Sequence, residues 1–127
     1  MFNVYPAIFH KEEDSYWVEF PNLDGCQTFG STIEETIELA QEALGLYLVS
    51  LIEDGISIPT PPDIQELTID SNSFVNLIGT DIDKYRKNTK AVKKTLSIPA
   101  WLAEEAERQK ISLSKVLQDG LKRELGI

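Results

Sequence analysis

Lys93, Thr95 and Ser97 are polar hydrogen-bond donors separated by Lys94, Leu96 and Ile98, so in an extended segment the three share one face. Two such segments side by side form a ribbon of the width that enters a DNA major groove, where ammonium and hydroxyl groups meet base edges. Downstream, Ser112 is a good helix N-cap, and with Ser114 it marks a helix start whose backbone N–H groups suit a phosphate. The blander reading of these residues is an exposed strand that touches no nucleic acid.

Other reactive side chains point less clearly to chemistry. Asp14, Glu19, Asp24 and Asp70 could contribute to a set of carboxylates converging on divalent metal. In so acidic a chain their presence alone says little. His10 is the single histidine and sits beside Phe9 in an apolar run, which favours a structural role. The lone Cys26 follows a glycine turn with no histidine near it in sequence, and reads as a small buried residue. Glycine-rich phosphate loops, Cys/His metal clusters and nucleophile elbows are missing. The chain is therefore expected to be no enzyme, with no catalytic residue, no metal and no cofactor.

The totals set the frame. A chain of 127 residues with 42% hydrophobic content can pack a core, as one domain or two small ones. A single cysteine fits a reducing compartment, and no run approaches the roughly 18 apolar residues of a membrane span. A cytoplasmic protein without a membrane association is expected. Charge is unevenly spread. Residues 1–90 hold 5 Lys+Arg against 16 Asp+Glu, a net of −11, whereas residues 91–127 hold 7 against 5, a net of +2. An acidic body and a mildly basic tail imply two different partners, although acidic surface also simply keeps proteins soluble.

Those residues need elements to position them. "FNVYPAIFH" (2–10) and "SYWVEF" (15–20) carry the aromatic and β-branched residues of strands, with "KEED" as the loop between. Tyr16, Val18 and Phe20 share one face of the second strand, and Trp17 and Glu19 the other. Pro6 cannot donate to a ladder, which predicts an edge or a bulge there. "CQTFG" (26–30) and "SFVNLIG" (73–79) complete a small antiparallel sheet. In 31–55, Ile33, Ile37, Ala40, Leu44, Leu48 and Leu51 recur at helical spacing, Ser31/Glu34 and Thr32/Glu35 both fit a capping box, and Gly55 ends the helix. Residues 81–91 read as a linker. After it come a strand over 92–98, a helix opening near Pro99, and a second helix from Ser112 with Leu113, Val116, Leu117, Gly120, Leu121 and Leu125 on one face. One strand and two short helices cannot bury a core alone, so a two-fold dimer through the strand is expected, with a higher oligomer left open.

The order strand, Ile-Pro, helix, Ser-x-Ser, helix resembles the ribbon-helix-helix pattern. "YPAIF…YWVEFPNLDGCQTFGSTIEETIELAQEALGLYLVSLIEDGISIPTP" resembles the HicB antitoxin family, through Phe20-Pro21-x-Leu23-x-Gly25-Cys26-x-Thr28-x-Gly30, the Glu-Glu helix, Asp-Gly and Pro-x-Pro. The resemblance implies an α+β fold. Residues 1–80 would form a partly degenerate RNase H-like domain, joined by the 81–91 linker to a ribbon-helix-helix domain over 92–127. It also implies an antitoxin that neutralises a HicA-like toxin, a small mRNA-cleaving ribonuclease with a catalytic histidine, and that represses its own operon by binding operator DNA. Lys93, Lys94, Thr95, Ser97, Ser112 and Ser114 would then contact DNA. For the toxin the choice falls on Tyr16, Trp17, Glu19, Asp24 and Phe29, where the hairpin and the "PNLDG" turn combine aromatics with carboxylates. Two departures stand out: Lys110 occupies a turn position usually held by Gly, and Ser97 is short for an outward strand position. The competing function is a ribbon-helix-helix regulator whose N-terminal domain senses a small molecule.

Overall fold

A computed structural model describes residues 1–87 and 90–127, and the chain divides into two compact units, 1–88 and 89–127. The first is a sheet of four antiparallel strands under one long helix. β1 (Phe2–Lys11), β2 (Tyr16–Glu19), β3 (Gln27–Gly30) and β4 (Ser73–Asp81) stand in the order β3-β2-β1-β4, and α1 spans Ile33–Glu53. Tyr5, Ala7 and Phe9 of β1, Val18 of β2 and Ile78 of β4 form one core with Ala40, Leu44 and Leu48 of α1. The buried stripe of the helix runs through Thr36, Ala40, Leu44 and Leu48. Ile33, Ile37 and Leu51, expected on it, lie at its half-buried margins.

Of the two expected capping boxes, the second forms the cap: Thr32 Oγ1 accepts from the Glu35 N–H at 3.2 Å, with Glu34 and Glu35 in the electropositive first turn. At the other end Gly55 takes φ +73°, and the bonds Gly55 N→Ile52 O and Ile56 N→Leu51 O close a Schellman turn.

Pro6 requires a correction. β1 is an interior strand, neither at the sheet edge nor bulged, and Pro6 stands directly opposite Leu77. The bonds Lys11 N→Asn72 O and Ile82 N→Met1 O bracket the β1/β4 ladder, so odd-numbered residues of β1 bond toward β4 and even-numbered ones toward β2. The β2 ladder begins only at Ile8. The missing Pro6 N–H thus faces a stretch with no neighbouring strand, and the strand tolerates proline in its middle.

Residues 81–87, read from sequence as linker, carry the end of β4 and a 3₁₀ turn over Ile82–Tyr85 in which Ile82 is fully buried. The rest of that expected linker includes 88–89, which lie outside the described residues. In the second unit α2 spans Ala100–Arg108, with Pro99 as its N-cap, and α3 spans Leu113–Leu125. Ser112 Oγ caps α3 by accepting from the Lys115 N–H at 3.3 Å. Lys110 adopts the left-handed conformation at φ +56° between the helices, where glycine is the cheaper residue. The strand expected at 92–98 forms no ladder among the described residues.

Candidate protein- and DNA-binding surfaces

The face of the sheet opposite α1 is set by strand register. His10 pairs with Trp17, Ile8 with Glu19, Trp17 with Phe29 and Pro6 with Leu77, and all these side chains project to that one face. Phe29 (73% exposed), Leu77 (54%) and Val4 (41%) leave parts of it apolar and open, whereas Pro6 and Ile8 on the same face are buried. Of the expected toxin-binding residues, Trp17, Glu19 and Phe29 come together here. Tyr16 does not: it pairs with Lys11 and Gly30, and its register puts it on the helix side.

Asp24 reaches the same region by a different device. In the turn after β2, Leu23 N→Phe20 O (3.1 Å), Cys26 N→Leu23 O (3.0 Å) and Phe20 N→Cys26 O (3.3 Å) tie the loop to itself, with Asn22 and Gly25 at positive φ. Leu23 and Cys26 are buried, which anchors the turn and leaves Asp24 exposed. A cleft lined by Ile8, Glu19, Asp24, Gln27 and Leu67 joins this turn to the open face. Burial pushes the Cys26 thiol up to about 11, which makes it a poor nucleophile, and its Sγ–H points at the Ala43 carbonyl at 3.7 Å.

His10 is the residue that sequence reasoning placed but did not connect. Its ring stacks on Trp17 with centroids 3.9 Å apart and planes 14° from parallel. Nδ1 lies 2.7 Å from Ser73 Oγ, and Ser73 donates to Asp70 Oδ1 at 2.6 Å. Nε2 is buried without a hydrogen-bond partner, 3.7 Å from Glu19 Oε1. Ser73 and Asp70 lie about sixty residues away along the chain, so no local pattern could have announced them. The outward apolar residues of β1 and β4 were legible in principle, by reading alternate residues of both strands together.

Asp14, Glu19, Asp24 and Asp70 do not converge: among the described residues no three His, Cys, Asp or Glu side chains are placed to hold one ion. Nor, among them, is any helix long and apolar enough to cross a membrane.

In the second unit Lys93, Lys94, Thr95 and Ser97 are all exposed, as are Ser112 and Ser114. Ser114 Oγ accepts from Gln118 Nε2 at 3.1 Å, one turn along α3. No described residue of this unit is buried, and Leu96, Leu102, Leu113, Val116, Leu117 and Leu121 are each 40% exposed or more. A β-carbon added at Gly120 would meet nothing within 4 Å, so the close approach expected at this glycine is not made within the chain.

Comparison with known proteins covers both units. A family model described as the HicB-like antitoxin of bacterial toxin–antitoxin systems matches residues 5–119. An uncharacterised 14.9 kDa protein from the rep-hol intergenic region of Haemophilus phage HP1 is 30% identical over 101 residues, 78% of this chain and 75% of that protein. A chain of a toxin–antitoxin complex from Streptococcus pneumoniae superposes with a TM-score of 0.64 at 27% identity, over 98% of this chain and 99% of that one. A chain of the HicA3 and HicB3 toxin–antitoxin complex superposes at 0.51 with 25% identity, over 62% of this chain and 99% of that one.

Proposed function

The chain belongs to the HicB-like antitoxin family, and from that premise we propose that its acidic first unit binds and neutralises a HicA-like, RNA-cleaving toxin while its tail binds operator DNA. The supporting observation is the open sheet face, where exposed Phe29, Leu77 and Val4 border Glu19 and Asp24 on a segment of net charge −11. An enzyme that cleaves RNA presents cationic surface to phosphates. An acidic partner therefore gains fast encounter and competes with RNA, while an apolar centre supplies lasting affinity. Trp17, Glu19, Asp24 and Phe29 carry the contact in this reading, and Tyr16 supports it from the helix side.

The tail acts as a ribbon-helix-helix dimer. Its exposed leucines and its unpaired 92–98 segment call for a second copy, which would supply both the missing ladder and a core. Lys93, Thr95 and Ser97 then face the major groove, and Lys94, Ser112 and Ser114 serve the phosphates. Repression of its own operon follows from that contact, and the first unit keeps an RNase H-like topology without its chemistry.

The deciding experiment measures RNA cleavage by a HicA-like toxin in the presence of this protein, together with association rate against salt. Glu19→Lys and Asp24→Lys should weaken protection, and association should slow as salt rises past the point where screening acts over roughly 8 Å. Full protection by both variants, with a salt-independent rate, overturns the assignment of this face.

A further inference from the structure

We propose that His10 is a protonation-sensitive positioning residue of the open sheet face, its proton deciding whether the Glu19 carboxylate is presented to a partner or tied to the imidazole. The Ser73 hydroxyl has one hydrogen and donates it to Asp70 at 2.6 Å, so at 2.7 Å from His10 it accepts, and Nδ1 carries the ring proton. The neutral ring then turns the Nε2 lone pair toward Glu19. Two acceptors cannot bond, and Nε2 and Oε1 stand 3.7 Å apart with Nε2 buried and unpartnered.

Adding a proton at Nε2 converts that opposition into a donor–acceptor pair. Closing the gap to a charge-assisted bond of about 2.8 Å takes a shift of under about 1 Å by the half-exposed Glu19 side chain. The carboxylate then leaves the rim of the face, and the charged ring lies against Trp17 as a cation against a π-face. The ionisable groups facing the ring are Glu19 on β2 and, through Ser73, Asp70 ahead of β4. Lys11, next in the chain, projects to the opposite side of the sheet.

The proposal is testable in the full chain without a partner, because His10 is its only histidine. Imidazole nitrogen correlation spectra at pH 8 should show the Nδ1–H tautomer. At pH 5.5 a slowly exchanging Nε2–H should appear, together with quenching of the Trp17 emission, and the slow exchange should vanish in Glu19→Ala, which removes the acceptor. An Nε2–H tautomer at pH 8, or Nε2–H exchange unchanged in Glu19→Ala, overturns the proposal.

Its functional side rests on the reading of this face as the toxin-binding surface. An inactivated HicA-like toxin with its catalytic histidine replaced should bind about fivefold more weakly at pH 5.5 than at pH 7.5, the range of one screened charge contact. That ratio should fall to about one in His10→Gln. Binding with no pH difference overturns the switch and leaves the surface assignment intact. No binding at either pH overturns the surface assignment, while the spectra still decide the behaviour of His10.

Discussion

The ring of Tyr85 fills the space that a β-carbon on Gly45 would occupy, so α1 and the 3₁₀ turn after β4 meet with no room between them. Gly45 lies buried inside a helix, where replacing glycine by alanine ordinarily gains about 1 kcal/mol.

Gly45→Ala is expected to reverse that gain. Displacing an aromatic ring from a packed contact costs about 1–3 kcal/mol, so the variant should be less stable by roughly 1–2 kcal/mol in urea unfolding. Gly79→Ala provides the contrast. The three atoms nearest its added β-carbon all belong to the exposed Phe2 ring, the closest being Cζ at 2.5 Å, and that ring can swing aside. Gly30→Ala should be the worst of the three, because its neighbours include the Thr36 backbone at 3.0 Å.

Lys110→Gly should stabilise the tail. Lysine pays about 1–2 kcal/mol to hold φ +56°, and glycine recovers part of this after its greater freedom in the unfolded chain is counted. A gain of about 0.5–1 kcal/mol in the thermal transition of the second unit is expected.

Cys26 gives a pH signature. Its folded thiol is held up to about 11 by burial, above the ordinary thiol value, so the unfolded chain releases its proton first as the pH rises. This contribution to stability is therefore complete below about pH 8.5 and is lost progressively up to about 11. Urea midpoints should fall across that window in the wild type and fall less in Cys26→Ala. In the native chain, alkylation at pH 8 should be slow.

How much of this was open to sequence reading depends on the distance over which each feature is decided. The α1 helix declares itself through neighbours three and four residues apart, and its Thr32 cap and Gly55 stop stand where those patterns place them. Pro6 misled because its constraint is local to one N–H, whereas edge or interior is a property of the whole sheet. Trp17, Glu19 and Phe29 were legible as a group since β2 and β3 are joined by a short turn. The Asp70–Ser73–His10 chain was not, since β1 and β4 close across most of the first unit. For the 92–98 segment the proposed pairing strand would belong to a second copy, beyond what one chain's pattern can show.

At the operator, Lys94→Ala should weaken binding for every sequence and lower the salt slope by about one, as expected for a lost phosphate contact. Thr95→Ala should instead reduce discrimination between operator and unrelated DNA. Gel-shift titrations at several salt concentrations separate the two outcomes, with sedimentation to verify that the assembly is unchanged.

The exposed leucines of the tail have a consequence for abundance. If the proposed ribbon-helix-helix dimer forms, a unit that lacks a buried core in one copy would acquire its fold and its DNA-reading ribbon in the same association event, governed by mass action. Below the dissociation constant of that pairing, the population of competent ribbons scales with the square of chain concentration. The operator would then count copies rather than merely sense presence, staying silent to scarce antitoxin and responding steeply as it accumulates. The first unit has its own closed core, so in this reading it would carry no such threshold.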